Sequence, residues 1–199
     1  MARRRRRPAI LAAAALGVAV ASAAGPGRRL DEIGFRHLNA ARGAFADRLF
    51  GGITELGSIF GSAGSAGALA LAGKRTTAGR ALGAAAAMWV TGQILKRVVR
   101  RPRPYDALPD TTRLLIGRPR GTSWPSSHPA VLLAFLTVVD RDLNLGSPVR
   151  AALAALTGAV GTSRVYLGVH YPSDVIGGVL LGRAIGIAWG GGNQGPSVE

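Results

Sequence analysis

From Pro8 to Trp189 the chain is a succession of apolar runs made chiefly of Ala, Gly, Leu and Val, broken by short polar clusters. A soluble domain fills its core with large apolar side chains at the density of an organic crystal. Here 48% of residues are hydrophobic but only 6% are aromatic, and glycine alone numbers 29. Small residues in long apolar runs suit helices in lipid, where close backbone approach takes over the role the hydrophobic effect plays in water. The pattern predicts an all-α fold, a bundle of six transmembrane helices. The runs cover approximately 8–24, 53–72, 81–95, 129–139 and 151–161, with a last one from Val175 to near Trp189. Several fall short of the ~20 residues a full span requires and must borrow polar flanks.

The first run follows the basic stretch 3–7. It reads as a first membrane helix with its N-terminus held in the cytoplasm; the alternative is a signal peptide closing on the A-x-A-like Ala21 and Ala23. Residues 1–24 are taken as this unit. Over 25–50, Ile33, Phe35, Leu38, Ala41, Phe45 and Leu49 recur at roughly helical spacing among Arg36, Arg42 and Arg48. That pattern predicts an amphipathic helix lying on the membrane, or a plain polar connector. The helix bundle itself is expected over 51–190 and a flexible tail over 191–199. Gly178, Gly182, Gly186 and Gly190 line one face of the last helix, and Gly57 with Gly61 makes a shorter stripe in the second; both fit tight helix packing.

The formal charge is +15, from 25 Lys and Arg against 10 Asp and Glu. Such a balance points to an anionic partner. With apolar runs of this kind the partner is anionic or phosphorylated lipid, and nucleic acid is not expected. The absence of cysteine excludes disulfides and thiolate metal sites.

Three polar clusters stand out: "KRVVRRPRPY" at 96–105, "SWPSSHP" at 123–129 and "SRVYLGVHYPSD" at 163–174. If the chain crosses at every apolar run, all three meet on one membrane face, and with the N-terminus inside that face is extracytoplasmic. More basic residues then lie outside than in, against the usual bias, but a phosphate site needs cations on its own face. "SSHP" has the grammar of a helix start, with Ser127 at or near the N-cap and Pro129 in the first turn. Free N–H groups and the helix dipole at such an end favour an anion. Lys96, Arg103 and Arg164 add the charge that phosphoryl transfer requires. His170 and Asp174 lie one turn apart if helix extends across Pro172. An aspartate so placed holds one imidazole nitrogen and leaves the other free to attack phosphorus.

In order, these residues follow the pattern K-x6-R-P, P-S-G-H and S-R-x5-H-x3-D with one departure, and over roughly 81–189 the chain resembles the type 2 phosphatidic acid phosphatase superfamily. Lys96, Arg103 and Pro104 carry the first motif. Pro125, Ser126, Ser127 and His128 carry the second, with Ser127 where the family has glycine. Ser163, Arg164, His170 and Asp174 carry the third. The resemblance implies that His170 forms a phosphohistidine oriented by Asp174. His128 then protonates the leaving oxygen and later activates water, while Lys96, Arg103, Ser126, Ser127 and Arg164 hold the phosphate. It implies no metal and no cofactor, since cationic side chains stand in the metal's place. The function implied is an integral plasma-membrane lipid phosphatase with an extracytoplasmic site. Its partners are the bilayer and a phosphorylated lipid: phosphatidate, phosphatidylglycerol phosphate, polyprenyl diphosphate or a polyprenyl-sugar phosphate. The rivals are a vanadium-dependent haloperoxidase on a related scaffold and a non-catalytic protein that binds anionic lipid.

The remaining polar residues receive plainer readings. His37 is expected to be packed or interfacial. Arg97, Arg100, Arg101, Arg113, Arg118 and Arg120 are expected to meet lipid headgroups, some of them a second phosphate. Trp124, Tyr105 and Tyr171 are read as an aromatic belt, and Arg183 as facing the bundle or the inner interface.

Overall fold

The computed structural model describes residues 2–189. Gly190, the tail 191–199, Met1 and the side chains of residues 2–5 lie outside the described residues. So do the end of the glycine stripe, the expected tail and part of the basic run.

The described residues form helices joined by connecting segments, the longest over 108–126, with no strand. The helices are α1 (Ala2–Ala21), α2 (Gly25–Ala40), α3 (Ala44–Ile53), α4 (Ile59–Leu71), α5 (Arg75–Val99), α6 (Pro104–Ala107), α7 (Ser127–Leu143), α8 (Ser147–Tyr166) and α9 (Pro172–Ala188). A 3-10 turn, Thr54–Gly57, joins α3 to α4. Local chemistry sets many of the ends. The Ser58 hydroxyl accepts from Gly61 N at 2.9 Å and starts α4. Proline opens α2, α8 and α9, where its missing N–H costs nothing. Arg100 and Asn144 take left-handed backbone at the ends of α5 and α7.

α7 is the central helix, packed between α5 and α9, with α1 on α9 and α4 on α5. Buried Ala78, Ala81, Ala85 and Met88 form a helical stripe on α5, and Ala130, Ala134 and Val138 form one on α7. α9 meets α7 through glycine. A Cβ at Gly178 would lie 2.4 Å from the Ser126 carbonyl oxygen, at Gly182 2.2 Å from that of Ala130, and at Gly186 2.9 Å from that of Ala134. Both series step by four residues, so the backbones lie in contact over two turns, the close approach that small residues permit. This contact fixes the register that carries Asp174 to the N-terminus of α7, where Ser126 N donates to the Asp174 carbonyl at 3.0 Å.

The N-terminal helices are tied in by polar bonds. Asn39 is 1% exposed. Its amide donates to the carbonyls of Arg113 and Tyr166, both at 2.8 Å, and its oxygen accepts from Arg113 N at 2.7 Å. Asn39→Ala strands these buried groups, with an expected cost of about 3 kcal/mol. A lowered thermal midpoint in detergent checks this; an unchanged midpoint would show that α2 is not held here.

Several expectations change. The 25–50 segment is two helices, not one, parted at Ala41–Gly43. Gly57 lies in the 3-10 turn and Gly61 in α4, so they form no common stripe; a Cβ at Gly57 would meet His128 Cβ and the His128 carbonyl at 2.9 Å. The aromatic-belt reading fails, because Trp124, Tyr105 and Tyr171 are all buried; Trp124 sits against Gly177. Arg183 keeps the expected contact with the bundle, donating to Thr137 Oγ1 of α7 at 3.1 Å from an otherwise exposed position. No single helix among the described residues is long and apolar enough to cross a membrane, and α1 with α2 passes that test only as a pair bent by 90°.

Candidate active site

The end of α5, the loop after it, the start of α7, the end of α8 and the start of α9 converge on one end of the bundle. The ionisable neighbours of His128 there are Arg164, His170, Lys96 and Arg103. Segments far apart in sequence thus supply one constellation. Ser126 is the N-cap of α7, one residue before the expected cap at Ser127, and Ser127 and His128 lie in the first turn. His170 precedes α9 rather than lying on it. Asp174, in the first turn of α9, reaches back to cap that helix.

Asp174 is fully buried. Its Oδ2 accepts from Tyr171 N at 2.8 Å and from the Ser123 hydroxyl, and faces His170 Nδ1 at 3.4 Å. Its Oδ1 accepts from Arg101 at 2.7 Å. On the other side of the ring, Arg103 Nη1 lies 3.3 Å from His170 Nε2. A guanidinium only donates, so Nε2 must offer its lone pair and the proton must sit on Nδ1, toward Asp174. Burial, reinforced by Arg103, Lys96 and Arg164, holds the His170 imidazole well below its ordinary titration range. The ring is therefore neutral at pH 7, with the lone pair of Nε2 turned toward the cations.

The guanidinium groups of Arg103 and Arg164 are held by backbone and hydroxyl groups rather than carboxylates. Arg103 donates to the carbonyls of Gly121 and Val169, both at 2.9 Å. Arg164 donates to Thr54 Oγ1 at 2.7 Å, and Thr122 Oγ1 caps the Lys96 carbonyl at 2.6 Å. Arg103, Arg164 and Lys96 are each at most 8% exposed. Buried like charges in company are costly without an anion. Arg164 Nε and the hydroxyls of Ser126 and Ser127 are buried with no hydrogen-bond partner. These are buried donors left without partners, a cost that a bound anion would relieve.

Arg101 is the residue that sequence reading placed elsewhere. It is not a headgroup contact: it lies over the Tyr171 ring at 4.3 Å and spans Asp174 and Asp31, bonding Asp31 Oδ2 at 2.5 Å. Asp31, on α2, also accepts from Ser173 N at 2.8 Å and from the Ser173 hydroxyl at 2.5 Å. Arg113 likewise leaves the lipid-contact set, pairing with Asp47 at 3.1 Å. Thr54, Ser123 and Asp31 carried no signal in sequence, since each is an ordinary polar residue until the fold supplies its partner.

A helical bundle with this cation-lined end belongs to a known structural class. It superposes on a transmembrane PAP2 type phosphatidylglycerolphosphate phosphatase from Bacillus subtilis with a TM-score of 0.74, at 23% identity over 92% of this chain and 94% of that one. It also superposes on Aquifex aeolicus LpxE, with a TM-score of 0.70 at 28% identity over 78% and 91% of the two chains. The model of the PAP2 superfamily matches residues 77–190, and the chain belongs to that family. Among curated relatives, a decaprenylphosphoryl-5-phosphoribose phosphatase of Mycobacterium tuberculosis is 37% identical over 105 residues, 51% of this chain and 54% of the relative. An undecaprenyl-diphosphatase of Sulfolobus acidocaldarius is 39% identical over 98 residues, 48% and 45% of the two. The chain thus spans about half the length of these relatives.

Proposed function

We propose that this protein is an integral membrane phosphatase that removes the terminal phosphate of a lipid through a phosphohistidine. The observation that carries the reading is the set of buried, unpartnered donors on Arg164, Ser126 and Ser127 beside Lys96, Arg103 and the neutral His170. In this reading His170 Nε2 attacks phosphorus and the bond to the lipid oxygen breaks. His128 gives that oxygen its proton. A water that has lost a proton to His128 then attacks phosphorus, the P–N bond breaks, and inorganic phosphate leaves. Lys96, Arg103, Arg164 and the N-terminus of α7 stabilise the charge on the equatorial oxygens. Asp174 keeps the ring's proton on Nδ1, and Arg101 keeps Asp174 in place.

The membrane part of the proposal rests on the outer surface as well as on the likeness in fold. Phe60, Leu71, Val20 and Val98 are between 72% and 93% exposed, an outward apolar face that suits lipid. We assign spans to α1, α4, α5, α7, α8 and α9, place α2 and α3 at the interface, and put the site on the extracytoplasmic face of the plasma membrane. The lipid's tails then stay in the bilayer while its phosphate rises into the cage. The relatives' names direct the choice of substrate toward polyprenyl-linked phosphates.

The test is inorganic phosphate release by purified protein from phosphatidate, phosphatidylglycerol phosphate, a polyprenyl diphosphate and a polyprenyl-phosphoryl-5-phosphoribose. Release from at least one, with a preference for the polyprenyl pair, is expected. No release from any of the four would overturn the proposal.

A further inference from the structure

Beside the phosphate cage runs an open groove of about 600 Å³, lined by Gln93, Lys96, Arg97, Arg100, Arg120 and Thr122 with Gly121. It is continuous with the cage: Lys96 belongs to both, and the carbonyls of Arg120 and Gly121 in its wall are the ones Arg103 bonds, at 3.5 and 2.9 Å. The groove carries the charge of Lys96 and three arginines and has no acidic residue in its lining. Among the described residues, no carboxylate lies within ion-pair distance of Arg97, Arg100 or Arg120, whereas Arg101 and Arg113 are each paired.

Arg100 supplies a second, independent sign. It ends α5 with φ 51° and ψ 31°, a left-handed backbone that costs a side-chain-bearing residue about 1 kcal/mol relative to glycine. Here the position carries an arginine that lines the groove and whose Nε donates to the Arg97 carbonyl at 2.9 Å. A residue held in a conformation that glycine fills more cheaply points to a use for its side chain.

We infer that the groove binds a second phosphate of the substrate, the one that remains on the lipid after the terminal phosphate is transferred. This rests on the lipid phosphatase reading and deepens it, because it assigns the substrate class as lipids bearing two phosphate groups. When the β-phosphorus of such a lipid is attacked by His170, the bridging oxygen leaves on the α-phosphate, which gains negative charge as the bond breaks. Arginines beside Lys96 stabilise that charge as it develops, so the discrimination appears in kcat/KM.

The experiment compares farnesyl diphosphate with farnesyl monophosphate, a pair sharing one tail and differing by one phosphate. Wild type and the variant Arg97→Gln/Arg100→Gly/Arg120→Gln are assayed for phosphate release in neutral maltoside micelles. Glycine at position 100 keeps the left-handed turn, so loss of fold does not mimic loss of binding. The variant is expected to lose about 10- to 100-fold in kcat/KM on the diphosphate and less than about 3-fold on the monophosphate. Equal loss on both, or no loss on either, overturns the inference while leaving the phosphatase reading intact. A loss seen only in vesicles containing phosphatidylglycerol, and equal for both substrates, also overturns it, by assigning the arginines to bilayer headgroups. No release from either substrate by the wild-type protein removes both.

Discussion

His170→Ala is expected to abolish phosphate release, with a fall of at least about 10⁴-fold in kcat, the scale seen when a covalent nucleophile is removed. The protein should still purify folded, with a thermal midpoint lowered by a few degrees, because the ring is buried but its two polar contacts are long, to Asp174 at 3.4 Å and to Arg103 at 3.3 Å. His128→Ala should cost about 10²–10⁴-fold and leave His170 able to take up phosphate from a substrate with an acidic leaving group. Brief incubation with a labelled diphosphate should then yield an acid-labile, alkali-stable phosphoenzyme in the His128 variant and none in the His170 variant. Retained turnover without His170 would remove the proposed nucleophile and the order of steps built on it.

The second large effect is on the fold. Gly182→Ala is expected to lower the stability of the bundle by about 3 kcal/mol or more, since even one methyl group overpacks the α7–α9 contact. The added carbon would stand 2.2 Å from the Ala130 carbonyl oxygen, and that atom is backbone and cannot rotate away. Gly67→Ala is the matched control. Nothing lies within 4 Å of a Cβ there, so helix propensity alone decides and the change should be neutral or stabilising by about 0.5–1 kcal/mol. Thermal midpoints in detergent that fall equally, or not at all, would show that α9 does not rest on α7 through this stripe. If the helices separate rather than unfold, Asp174 moves away from Ser126 and activity fails with the midpoint only modestly reduced.

The helical fold was legible because Ala and Gly in long runs leave few alternatives, and the glycine spacing on α9 foretold the contact face. The cluster at the bundle end was legible for a different reason. Cations, histidines and an aspartate stand at intervals that no packing requirement explains. What stayed hidden depends on partners distant in sequence. Nothing in "KRVVRRPRP" distinguishes Arg101, which turns inward to two carboxylates, from Arg97 and Arg100, which stay exposed. The left-handed turn at Arg100 makes that division. Trp124 reads as interfacial by its neighbours in sequence, yet Gly177 opens a hollow that swallows the indole. The break between α3 and α4 likewise follows from Gly57 meeting His128, a contact no local pattern announces.

Asp31 has a consequence for how this architecture can change. It lies on α2, well before the family match begins at residue 77, yet through Arg101 and Ser173 it is bonded to groups that touch Asp174. The N-terminal third is therefore not interchangeable packaging around a portable catalytic half. Any recombination that swaps this leader must bring a carboxylate to the same place, or the guanidinium beside Asp174 is left with one counter-ion instead of two. Loss of either Asp31 or Arg101 leaves a buried charge at the junction of α2 and α9 short of a partner.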